Sequence, residues 1–372
     1  MSTAGTVLRV GSITSHFQRE APLHPAARAF IADAFDRGWA DPSKIHGESR
    51  QAAILLNEAK EIFAAHLGVR ADQLHLLSDP ALGFHLGASG SLGEGSRFYY
   101  SAIDRSEIFA IADAMAHSMA HSVAQMNESE RLPVALDGSI AYPQGRPIDL
   151  LSWQTVNGET GIIAAPPQEF TGRLFVDATA SGAQIALPEN WSTAIWNSRA
   201  WEGPAGVGIF AIADRANWRN PLPHIDHRIS SSEISIPLVM ASALALEAHT
   251  RDYLEKRADL LLYNTRIREF LTTEIGDVDI AGSPSTTVPH LLSFSLLYLD
   301  AQRLVNELDR HGISVDSGSA CSSANLEPSH VLAAMGLLTH GNVRMTLHNQ
   351  TTLESVEAFL RRLRIIVEDF RN

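Results

Sequence analysis

The chain carries a single cysteine, Cys321, set in the run Ser317-Gly318-Ser319-Ala320-Cys321-Ser322-Ser323-Ala324. Small residues on both sides suit a mobile loop and leave the thiol uncrowded. The thiolate is the nucleophilic form, so such a cysteine is reactive where a cation or a helix N-terminus favours ionisation. An inert, packed thiol is the competing reading for a lone cysteine. Arg344, in Val343-Arg344-Met345-Thr346, sits on an expected strand and can grip a carboxylate through two parallel hydrogen bonds. An ordinary ion pair is the alternative there. Lysine is scarce, with only Lys44, Lys60 and Lys256, so residues 61–255 hold none. Two histidine groupings complete the inventory. His117 and His121, four apart on a helix, could share a metal, but no third ligand is evident and a solvated face explains them. His224-Ile225-Asp226-His227 gathers two imidazoles and a carboxylate.

The elements that must position these groups follow an α/β pattern, with short apolar runs alternating with amphipathic stretches. Strands are expected at Leu74–Leu77, Phe98–Ser101, Val134–Leu136, Leu150–Trp153, Leu174–Val176, Ala194–Trp196 and Gly208–Ile212. Several are continuous rather than alternating, as in a sheet covered on both faces. Helices are expected from Pro25 to Trp39 and from Ser49 to Leu67. The second carries Ala52, Leu55, Leu56, Ala59 and Phe63 on one stripe and stops at Gly68. A helical tract from about Ile234 to Thr272 gives a hinge. Beyond it come a strand near Leu291–Leu299, a helix at Ala301–His311, the cysteine segment, a strand at Val343–Leu347 and a last helix from Leu353.

At 372 residues the chain is long enough for two domains. Its composition, 45% hydrophobic and 19% charged, is ordinary for a globular protein. A net charge of −13 argues against a nucleic-acid partner, which would need clustered Lys and Arg. One cysteine excludes an internal disulfide and a Cys-rich zinc site. The N-terminus lacks the apolar core of a signal peptide, and no run approaches the roughly 20 apolar residues of a membrane span. The expectation is a cytoplasmic protein without a membrane partner.

The segment from Ser317 to Leu332, with Leu326-Glu327-Pro328-Ser329-His330-Val331-Leu332 after the cysteine, resembles the active-site loop of cysteine desulfurases. These belong to the class V aminotransferases, fold-type-I enzymes that use pyridoxal phosphate. Other landmarks come in the same order. Asp41-Pro42-Ser43-Lys44-Ile45-His46, Val156-Asn157-Gly158-Glu159-Thr160-Gly161, Val176-Asp177-Ala178-Thr179, Gly203-Pro204-Ala205-Gly206-Val207-Gly208 and Val343-Arg344-Met345-Thr346 are each similar to a family motif. The resemblance covers roughly residues 20 to 370. It implies a large domain, 20–250, with a mainly parallel seven-stranded sheet. A smaller α+β domain, 251–372, would follow, with residues 1–19 packed on it.

Position by position, the resemblance also implies losses. The lysine that bonds pyridoxal phosphate corresponds to Ala200, in Arg199-Ala200-Trp201-Glu202-Gly203-Pro204, and a methyl group can neither form that bond nor carry a proton. A phosphate-donating histidine corresponds to Arg199, and the histidine stacked on the pyridine ring corresponds to Arg105. The glutamine near the cofactor's phenolic oxygen becomes Ala180. The small turn that cups the phosphate becomes Asp79-Pro80-Ala81, and the partner-subunit threonine becomes Glu233. Asp177, the partner of the pyridine nitrogen, remains. Asn157, Asp177, Arg105 and Arg199 therefore outline a remnant or remodelled cofactor pocket, with Arg344 as its substrate-carboxylate residue. The expectation is that no pyridoxal phosphate binds unless the lysine loss is compensated. Two roles stand open: a non-catalytic relative that carries sulfur on Cys321 or regulates an active paralogue, or an enzyme with a new mechanism in the altered pocket. The resemblance further implies a homodimer, or a heterodimer with a paralogue, and a sulfur-acceptor protein as partner.

Overall fold

The computed structural model describes residues 15–119, 128–223, 229, 233–318 and 328–371. In chain order the elements are β1 (Ser15–Phe17), α1 (Pro25–Arg37), α2 (Gly47–Leu67), β2 (Leu74–Leu77), α3 (Leu82–Ser91), β3 (Arg97–Ser101) and α4 (Ser106–Met119). Next come β4 (Glu128–Leu132), β5 (Leu150–Gln154), β6 (Arg173–Asp177), β7 (Trp191–Asn197), β8 (Gly208–Ile212) and α5 (Ile236–Phe270). The chain ends with β9 (Val278–Ile280), β10 (Leu291–Leu296), α6 (Ala301–Arg310), β11 (Ile313–Ser317), α7 (His330–Met335), β12 (Asn342–Thr346) and α8 (Leu353–Arg371).

Seven strands form one sheet in the order β2-β8-β7-β6-β5-β3-β4. All neighbours are parallel except β8, which runs against both β2 and β7. The continuous apolar runs find their reason here. On β6, Leu174 and Val176 enter one core and Phe175 the other; on β7, Ala194 and Trp196 oppose Ile195 in the same way. Both faces are covered, so neither can be polar. The α/β, fold-type-I architecture expected of the chain is the one observed.

A second sheet, β1-β11-β12-β10-β9, is antiparallel apart from the β1–β11 pair. Along β10, Leu292, Phe294 and Leu296 enter the apolar core and alternate with Ser293 and Ser295, which are also buried but hydrogen-bond to Asn342 and to Leu338 O. Helix α5 joins the two cores. Val239, Met240 and Leu246 near its start pack in the first, and Leu260, Ile267 and Phe270 near its end pack in the second.

One expected strand is displaced. Val134–Leu136 is not a strand; Val134 only bridges Ile140 in a tight turn. The sheet edge is instead β4, Glu-Ser-Glu-Arg-Leu, in which Leu132 alone is buried. An edge strand pairs on one side and needs no apolar run, and its charges deter pairing with another chain. Arg97 on β3 reaches Glu128 and Glu130 across the pair.

Candidate functional site

The carboxyl ends of β3, β5, β6 and β7 deliver the candidate residues to one side of the large sheet. In a doubly wound sheet this is where ligands bind. Asp177 closes β6 and is 2% exposed. Its Oδ1 accepts the Thr179 N–H at 2.9 Å and the Thr179 hydroxyl at 2.6 Å, and its Oδ2 accepts Gln154 Nε2 at 3.2 Å. Both oxygens are thus engaged by this chain's own donors. Asn157 is likewise committed. Its Oδ1 accepts the backbone N–H groups of Glu159 and Thr160, both at 3.0 Å, and its Nδ2 donates to Ile103 O and Gln154 Oε1. It shapes the turn that presents Gly158 and Glu159 to the cavity.

That cavity, of about 400 Å³, lies where the two cores meet. Thr179, Ala180, Arg199, Ala200 and Glu202 line it from the large sheet, and His290, Arg344, Thr346 and His348 line it from the small one. Ala200 stands in the 3₁₀ turn after β7, held by the Asn197 side chain, which accepts the Arg199 N–H at 3.1 Å. Arg199 pairs with Glu20 at 3.0 Å. Arg344 donates to Ser317 O at 2.9 Å and lies 3.9 Å from Glu159, while its Nε is buried with no partner among the described residues. Arg105 sits one layer back. It lies over the Phe84 ring at 5.2 Å and reaches the Thr179 hydroxyl at 3.5 Å. The structure therefore brings Ala200, Arg199 and Arg344 onto one cavity and sets Asp177 and Arg105 behind Thr179.

Cys321 lies outside the described residues, as do His121, His224-Ile225-Asp226-His227 and Ser230 to Ser232. Ser317 and Gly318, the last described residues before the cysteine, end β11 against Arg344 and Asn342. Among the described residues no group of three or more His, Cys, Asp or Glu is placed to hold a metal.

The start of α3 does not present an open anion cradle. The Ala81 N–H donates to Asp79 Oδ1 at 2.9 Å, and the Leu82, Gly83 and Phe84 N–H groups donate to the Asp79, Pro80 and Ala81 carbonyls. Pro80 has no N–H. A helix N-terminus binds anions through free N–H groups, and this first turn keeps none. Its own carboxylate supplies the cap instead.

Sequence reasoning missed Arg19, Glu202, His249, Tyr253, His290 and His348, which come from five separate stretches of chain. Arg19 faces Arg105 and Arg344; burial first, then those two charges, pulls its pKa down. Glu202 takes a left-handed backbone, φ 57°, which strains a side-chain-bearing residue. It is 4% exposed; Oε1 accepts the Asn349 N–H at 3.0 Å, and Oε2 has no partner among the described residues. Burial pushes its carboxyl up to about 7, with Asp252 adding to the effect. Burial pulls His249 down to about 3, and His290 and His348 down to about 4, so all three are neutral imidazoles near pH 7. Glu202, two residues past Ala200, was the one signal available in advance.

The sequence profile of the class V aminotransferases matches residues 239–359. The cysteine desulfurase IscS of Dictyoglomus turgidum is 25% identical over 94% of this chain and 92% of its own. An IscS-like cysteine desulfurase of Mycobacterium tuberculosis is 27% identical over 91% and 92%. Over residues 239–359 the chain matches the class V aminotransferases, and it is similar to cysteine desulfurases along most of its length. Solved structures show the same fold. A NifS-like protein superposes with a TM-score of 0.81 over 95% of this chain and 99% of that one, at 18% identity. The apo cysteine desulfurase of Thermococcus onnurineus NA1 gives 0.77 over 94% and 95%, at 17% identity.

Proposed function

We propose that this chain is a cysteine desulfurase relative that has given up pyridoxal-phosphate chemistry and keeps the fold as a binding or sulfur-carrying scaffold. The observation that carries this reading is Ala200 on the cavity wall, with Lys44, Lys60 and Lys256 all absent from the lining. Without an amine there is no covalent link to an aldehyde cofactor.

The surrounding residues support it. The first turn of α3 spends its N–H groups on Asp79 and on its own carbonyls, so a phosphate would meet a carboxylate where it needs donors. Each lost charge-assisted bond weakens binding by about 1.5–3 kcal/mol. Asp177 has both oxygens occupied, and the Arg105 guanidinium, not a flat neutral ring, lies beside it over Phe84. These residues do not fit pyridoxal phosphate. Cys321, beyond the end of β11, is the group that could still carry sulfur, alone or as partner to an active paralogue.

The test is sulfide release from cysteine by the purified chain with pyridoxal phosphate added in excess. None is expected, and none from Ala200→Lys either, because Asp79, Arg105 and Ala180 still deny the cofactor its ring and phosphate contacts. Full activity from either protein would overturn the proposal.

We propose further that the chain forms a dimer, with itself or with an active paralogue. Trp39, 67% exposed, and Ile45, 91% exposed, leave large apolar groups in water on the α1–α2 connection, as an interface would use them. Sedimentation at micromolar concentration should give a dimer, and a stable monomer would contradict this.

A further inference from the structure

Four side chains that line the cavity each hold a buried polar atom with no partner among the described residues: Glu202 Oε2, Asn349 Nδ2, His290 Nδ1 and Gln184 Oε1. A run of contacts links the four residues. Glu202 Oε1 accepts the Asn349 N–H at 3.0 Å, and His290 O accepts the Leu347 N–H at 2.7 Å, two residues before Asn349. The His290 ring is turned to the Ala180 backbone, in the turn after β6 that runs on to Gln184. Native folds leave few buried polar atoms unsatisfied, so four in one linked group call for an explanation. Glu202 adds a second sign. Its left-handed backbone is one that glycine adopts freely, and the chain keeps the strain to place a buried carboxyl there.

Charge and hydrogen-bond inventory narrow what these atoms can take. Burial keeps Glu202 neutral below about 7, and His290 neutral above about 4. With Gln184 and Asn349 uncharged as well, an ionic ligand group would lose its water here without gaining a counter-charge. Oε1 of Glu202 already accepts, so the carboxyl proton sits on Oε2. Glu202 and Asn349 then offer an O–H and an N–H, while Gln184 Oε1 and His290 Nδ1 offer lone pairs. A primary carboxamide is the complement of that set, with two N–H groups and a carbonyl oxygen that has two lone pairs. An ammonium lacks the acceptor, a carboxylate lacks the donors, and an ester lacks the N–H groups. The Tyr253 ring, stacked on His249 at 6.1 Å and edge-on to His290 at 6.3 Å, gives the rest of the ligand a flat wall.

We propose that Gln184, Glu202, His290 and Asn349 form a carboxamide subsite, and that the cavity takes a small neutral ligand through its primary amide. The amide carbonyl accepts from Glu202 and Asn349, and its N–H groups donate to His290 Nδ1 and Gln184 Oε1. This rests on the reading that pyridoxal phosphate does not occupy the cavity. Binding is noncovalent and moves no proton.

The experiment is calorimetric titration of the full chain at pH 6 with benzamide, and with methyl benzoate, benzoate and benzylamine, which keep the aromatic ring and change the polar group. Benzamide should bind at millimolar concentration or below, at least about tenfold tighter than each of the other three. Glu202→Gln, which keeps one acceptor and one donor in place, should hold benzamide within about threefold of the wild type. Glu202→Gly, relieved of its backbone strain, should bind at least about fivefold more weakly. His290→Phe should lose as much, and it tests the other half of the subsite if the glycine variant does not fold. Absence of benzamide binding, equal binding of methyl benzoate, or wild-type affinity in Glu202→Gly or His290→Phe would overturn the proposal. Failure of the cofactor reading would look different: the purified protein would then show a near-visible absorption band before any amide is added, and both readings would fall. A colourless protein that ignores benzamide would overturn the carboxamide subsite alone.

Discussion

At the scale of single residues, burial decides which pocket side chains carry charge, and pH can read that decision. His249, His290 and His348 are held neutral with folded pKa values of about 3 to 4, below the ordinary 6.5. An unfolded chain protonates them below pH 6.5 while the native one does not, so their contribution to stability is lost as pH falls from 6.5 toward 4. Each costs at most about 1.4 kcal/mol per pH unit across that window. Glu202 has the opposite sign. Its folded pKa of about 7 lies above the ordinary 4.5, so its stabilising contribution is present below pH 4.5 and lost as pH rises through 7. Thermal unfolding should therefore show a Tm that drops steeply below pH 6.5. Glu202→Gln should be more stable than the wild type at pH 8, by up to about 3 kcal/mol. A flat acid limb, or a Glu202→Gln curve parallel to the wild type, would contradict these assignments. The residues singled out from sequence were those with a motif around them. Ala200, Arg199 and Arg344 line the cavity, while Arg19, His249, His290 and His348, which line it too, had no local pattern to reveal them, because folding alone brings them together.

At the scale of elements, what could be read and what could not divide along physical lines. Strands β5 to β8 were legible within a residue or two at most ends because burial on both faces forces continuous apolar runs. Helix α5 was legible from its length. Helix α3 was not, because Leu-Gly-Phe-His-Leu-Gly-Ala-Ser-Gly-Ser has poor intrinsic propensity. Its glycines serve contact instead. A Cβ at Gly83 would come within 2.2 Å of Ile195, and one at Gly87 within 2.2 Å of Phe175, so the helix lies nearly on the sheet. Tertiary packing outweighs the propensity cost. Strand β4 escaped for the reverse reason, since an edge strand with charged residues facing water lacks the apolar signature that strands are read by. The Asp79-Pro80-Ala81 turn was read from the resemblance as the counterpart of a phosphate-cupping turn. That its carboxylate turns round to cap α3 emerged only with the fold.

At the scale of the whole molecule, two sheets with separate cores share one cavity, and helix α5 runs from one core into the other. The fold matches solved NifS-like and cysteine desulfurase structures over more than nine-tenths of the chain. The packing of β5 to β8 and the side chains at their carboxyl ends answer to different constraints, so a shared fold does not fix the chemistry of the site. Among the described residues no helix is long and apolar enough to cross a membrane. The central claim, that this pocket does not take pyridoxal phosphate, has a direct measurement. The purified chain is titrated with pyridoxal phosphate, treated with borohydride and desalted, and its absorption spectrum and intact mass are recorded. The account predicts no near-visible band beyond that of free cofactor and no mass increase at any stoichiometric site. A protein-bound band that survives desalting, or a single borohydride-fixed adduct on a lysine, would show the cofactor site to be intact and would contradict it.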